Sequence, residues 1–72
     1  MIISAVIRTD ANEKVVEAEI KAVNEELDGK ILRFHQNIRT FEIVYPENIC
    51  FKEIEKRLAL CEGLATFFEF DD

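Results

Sequence analysis

Val16, Ile20, Val23 and Leu27 recur at spacings of four, three and four. That spacing lines one stripe of an α-helix and no single face of a strand. Asp10 followed by Glu13 reads as a capping box, and Gly29 stands where a helix-stopping glycine belongs. A helix through this stretch needs a partner layer for its apolar stripe, and a chain of 72 residues has to supply that layer from the segments on either side.

Those segments read as strands. Residues 2–8, IISAVIR, are short and β-branched. After Gly29 come KILRFHQ (30–36) and IRTFEIVY (38–45), with Gln36-Asn37 as a two-residue turn that sets Leu32 opposite Phe41 and Arg33 opposite Thr40. Pro46 ends the sheet and Asn48 caps a second helix of about residues 49–62. Its stripe is Cys50, Phe51, Ile54, Leu58 and Cys61, and Gly63 supplies the stop. LATFFEF, residues 64–70, reads as a last strand.

The order β-α-β-β-α-β in one domain spanning residues 1–72 implies an α+β fold. Right-handed crossovers and short loops give a four-stranded antiparallel sheet with both helices on one face, the ferredoxin-like or split-βαβ arrangement. The first and third strands are then central, and the second and fourth are edges.

One face of such a sheet is left bare. Strict alternation puts Ile3, Ala5, Ile7, Leu32, Phe34, Phe41, Ile43, Leu64, Phe68 and Phe70 under the helices. It puts Val6, Ile31, Val44 and Phe67 outside, ringed by Arg8, Arg33, Glu42 and Glu69. An apolar centre with a charged rim is the composition of a protein interface. Val6, Ile31, Arg33, Val44 and Phe67 are therefore the candidate interface, with Phe67 as anchor. Scattered apolar residues are also ordinary on any surface. A small-residue stripe on the first helix, Ala11, Val15, Ala18 and Ala22, is read as helix-helix packing, with Ile49 and Leu60 off the main stripe of the second helix.

Composition narrows the chemistry. The net charge of −6 disfavours nonspecific nucleic-acid or anionic-membrane binding, which needs clustered Lys and Arg. Residues 10–28 hold seven acids against two lysines, a local −5, whereas residues 30–39 hold Lys30, Arg33 and Arg39 with no acid. Glu13, Glu17, Glu25 and Asp28 form an acidic surface able to meet a basic partner, or simply a solvated helix face. Two cysteines and one histidine are too few for a closed zinc site. Eleven helical residues separate Cys50 from Cys61 by about 16 Å, too far for a disulfide. Both thiols read as small buried hydrophobes, and a redox switch is the rival reading. Free thiols and a start, MIISAVIR, without a basic leader imply a cytoplasmic protein.

Several chemistries of this superfold have no motif here. The loop after the first strand, RTDANEK, has neither a Cys-x-x-Cys metal loop nor a glycine-rich phosphate cradle. Phe41 faces inward by parity, unlike the outward aromatics of RNA-recognition domains. His35 near the hairpin turn reads as an exposed histidine without a neighbouring nucleophile. The expectation is a non-enzymatic protein-interaction or regulatory domain without cofactor or metal. It binds protein, forms a homodimer through its open sheet face, and contacts neither nucleic acid nor membrane. A compact acidic inhibitor of a basic nucleic-acid-binding target, of phage or mobile-element type, is one alternative. A small-ligand sensor is another, because the element order is similar to that of ACT-type regulatory domains, although no ligand-loop glycine follows the first strand.

Overall fold

The computed structural model of the protein describes residues 1–69. Its elements are β1 (Ile2–Ile7), α1 (Glu13–Leu27), β2 (Lys30–His35), a 3-10 turn (Gln36–Ile38), β3 (Thr40–Val44), α2 (Phe51–Leu58) and β4 (Leu64–Glu69). All strand pairs are antiparallel and the sheet order is β2-β3-β1-β4. This is the α+β ferredoxin-like βαββαβ arrangement, with β1 and β3 central. No helix among the described residues is long and apolar enough to cross a membrane.

The core lies between the sheet and the two helices. Ile3, Ala5, Ile7, Phe41, Ile43, Tyr45 and Leu64 from the sheet side meet Val16, Ile20, Leu27, Ile54, Leu58 and Cys61. The stripe on α1 is buried as its spacing requires, with Val23 partly covered. On α2, Phe51, Ile54 and Leu58 turn inward, as does Cys61 beyond its end, but Cys50 is exposed just ahead of the first turn. Both cysteines are free, so the reading of two buried thiols holds for Cys61 alone.

The helices are shorter than their periodicity implies, for local reasons. Ala11 N donates to Arg8 O at 3.0 Å, a turn that draws Asp10 away from the helix; Asn12 caps α1 instead, its Oδ1 accepting from Lys14 N at 2.8 Å and Val15 N at 3.3 Å. Before α2, Ile49 N donates to Pro46 O at 3.3 Å, so residues 46–49 turn rather than wind, and Asn48 does not cap. After it, Leu60 N reaches Arg57 O and Cys61 N reaches Leu58 O, a tightening to three-residue spacing that ends the helix at Leu58. The stripe read as helix-helix packing is mostly solvated: Val15, Ala18 and Ala22 are exposed, as is Leu60. The ion pair of Arg57 with Glu26 ties α2 to α1 instead.

Gly29 is no helix stop either. Asp28 takes the left-handed conformation, φ 59°, and its N–H donates to Asn24 O. Gly29 is needed for space: a Cβ there would stand 2.7 Å from Tyr45 Cδ1 and 2.9 Å from Asn24 Cγ. Gly29→Ala is therefore expected to lower stability by about 1–3 kcal/mol, read from the urea midpoint. A change below about 0.5 kcal/mol would show that the Tyr45 ring can retreat.

The hairpin loop also differs from expectation. A two-residue turn at Gln36-Asn37 would pair Leu32 with Phe41; the observed loop runs from Gln36 to Arg39, and Phe34 pairs with Phe41. Arg39 closes the loop with φ 48°, a backbone conformation unfavourable to a side-chain-bearing residue by roughly 1–2 kcal/mol. Its contacts offset that cost. Arg39 Nη2 donates to Arg8 O at 3.0 Å and Ala11 O at 2.9 Å, while its carbonyl accepts from Ile7 N at 2.9 Å. Charge-assisted bonds of this kind are among the stronger ones a folded chain makes.

Candidate interaction surface on the open sheet face

Which side chains reach the open face is decided by two bulges, one in each edge strand. On β2, Ile31 pairs with Ile43 but Arg33 pairs with Glu42, leaving Leu32 as an extra residue. On β4, Leu64 pairs with Ile7 but Thr66 pairs with Val6, leaving Ala65 extra. Directly opposed residues of an antiparallel pair point to the same side, so each bulge reverses the parity of half a strand.

The consequence corrects two of the five expected interface residues. Phe67 pairs with Ala5, and Ile31 with Ile43, on the helix side; both are partly buried against the core. Val6, Arg33 and Val44 do share the open side. Phe68, expected in the core, pairs with Ser4 on the open side and is 50% exposed. Leu32, also expected in the core, is 49% exposed at its bulge. Phe70 lies outside the described residues.

The open face is thus a grid. One row crosses it as Phe68, Ser4, Glu42 and Arg33, from β4 to β2. The next row is Thr66, Val6, Thr40 and His35. A third has Ile2 beside Val44 beside Lys30. Apolar side chains occupy the two central columns at Ile2, Val6 and Val44, all half-buried. The β2 column is basic.

Glu42 organises the polar part. His35 Nε2 lies 2.9 Å from Glu42 Oε2, and Arg33 Nε lies 3.9 Å from the same oxygen. An ionised carboxylate only accepts, so Nε2 carries the hydrogen. His35 is therefore half-buried and partnered, not the free surface histidine expected. A nucleophilic site needs the imidazole between nucleophile and acid; here Ser4 lies across β3, on the far side of Glu42 from the β2 column. Cys61 sits on the other side of the sheet, where burial and then nearby Glu19 push its thiol up to about 11, opposite to what a reactive thiolate requires.

The acidic residues of α1 do not form one cluster. Glu13 opens the helix and Asp28 caps its end, about 22 Å away along the axis. Glu17 lies 3.9 Å from Lys21, and Glu25 and Asp28 are exposed. No group of three or more His, Cys, Asp or Glu among the described residues could hold a metal ion. No family model, curated protein or solved structure matches the chain, so the functional reading rests on this geometry.

Proposed function

We propose that the protein is a small interaction domain that associates with a second copy of itself through the open sheet face, with Phe68 as the anchor. The observation that carries this reading is Phe68, a half-exposed ring in the same row as Arg33 and diagonal to half-buried Ile2 and Val6 on the neighbouring strand β1, with Val44 next to Ile2 on β3. Aromatic and Arg side chains are enriched among interface hot spots.

Size bounds the strength. Four strands about 4.8 Å apart and about six residues long at roughly 3.4 Å per residue give a flat footprint on the order of 400 Å². That is about half of what one partner contributes to a standard complex, so association is expected in the micromolar range or weaker. Light scattering on a size-exclusion column, run up to millimolar concentration, tests it. The wild-type chain is expected to shift towards dimer, and Phe68→Glu to remain monomeric with unchanged far-UV circular dichroism. A wild-type chain that stays monomeric throughout, or a Phe68→Glu variant that dimerises as well as wild type, defeats the proposal.

A further inference from the structure

Two ways exist to lay this face on a copy of itself with the strands aligned, and the charges distinguish them. A two-fold axis perpendicular to the strands, in the plane between the sheets, stacks β2 on β2. The central row then opposes itself: Arg33 over Arg33, Glu42 over Glu42. A two-fold axis parallel to the strands stacks β2 on β4 instead and leaves each row over its own copy, reversed. Phe68 then meets Arg33, and Glu42 meets Ser4, because the row reads Phe68, Ser4, Glu42, Arg33. In the next row His35 meets Thr66.

The first arrangement juxtaposes like charges at two positions of the row, which disfavours it on desolvation. The second juxtaposes none. It also sets a guanidinium, whose side chain is 66% exposed and only loosely paired at 3.9 Å with Glu42, against the half-exposed Phe68 ring. An arginine over an aromatic face is attractive, and more so once water is expelled. Building on the self-association proposed above, we infer that the partner is a second copy related by a two-fold axis parallel to the strands, with Arg33 of each protomer stacked on Phe68 of the other.

Sedimentation equilibrium on four chains tests it: wild type, Arg33→Gln, Phe68→Leu and the double variant. Both positions are exposed, so all four are expected to fold. Arg33→Gln is expected to weaken dimerisation about fivefold, and the double variant to weaken it by clearly less than the product of the single effects, because the two side chains share one contact. Tighter dimerisation of Arg33→Gln signals relief of Arg33-Arg33 repulsion and overturns the assignment in favour of the perpendicular axis. A dimer whose two single effects multiply overturns the stacked pair. Failure of the wild type to dimerise at all overturns the underlying self-association, a result separable from either of these.

Discussion

Tyr45→Ala is expected to lower the stability of the chain by about 3–5 kcal/mol, read from the urea midpoint. Tyr45 follows the last residue of β3, and its N–H donates to Met1 O at 2.8 Å, which carries the inward alternation of Phe41 and Ile43 one step further. Its ring is 2% exposed, and its hydroxyl donates to Asn24 Oδ1 at 2.7 Å inside the core. Removing a buried aromatic costs about 3–5 kcal/mol. A 72-residue domain has roughly 4–11 kcal/mol in total. At the middle of both ranges, about half of the stability goes with the ring.

Tyr45→Phe separates the hydrogen bond from the packing. Burial, with a smaller contribution from Cys61, raises the phenol pKa above its ordinary value, so the hydroxyl stays protonated and donating through the neutral range. Without it Asn24, only 6% exposed, keeps an acceptor with no donor, at a cost of about 1–3 kcal/mol. Adding Asn24→Leu is expected to recover part of that loss, since an apolar pair of similar shape leaves nothing unsatisfied. Urea unfolding followed by circular dichroism orders the series. Tyr45→Phe at wild-type stability would show that the buried bond contributes nothing net.

The second large effect separates two adjacent phenylalanines. Phe67→Ala is expected to cost about 2–3 kcal/mol, because the ring packs against the core beside Ala5. Phe68→Ala should stay within about 0.5 kcal/mol of wild type, measured below micromolar concentration so that association contributes nothing. Uninterrupted alternation along β4 predicts the reverse order. Finding that reverse order would remove the bulge at Ala65, and with it the anchor of the open face.

The signal for both bulges was present in the chain, in residues the alternation placed badly. Strict parity on β2 points Lys30 at the core, and a buried unpaired lysine is costly. Shifting one residue at Leu32 turns Lys30 out and Ile31 in. On β4, strict parity points Thr66 inward between Leu64 and Phe68, and the shift at Ala65 turns it outward beside Val6. Tyr45 has the same parity as Phe41 and Ile43, so the alternation that buries those two also points it inward, and the bond from its N–H to Met1 O extends the pairing to reach it. The cap at Asn12 was displaced from Asp10 by a turn that forms only when Arg8 and Ala11 are folded back on each other.

Residue periodicity alone determined the order of six elements, the buried stripe of α1 and the inward faces of β1 and β3. Central strands are hydrogen-bonded along both sides, so an inserted residue there would break two ladders, and their alternation is strict enough to read directly. Edge strands are held on one side only and tolerate an extra residue at the cost of a single ladder step. Thr66 at an inward parity marks that strict alternation fails on β4, but whether Phe67 or Phe68 meets the solvent was settled by where the extra residue sits when β4 pairs with β1 and packs under the helices.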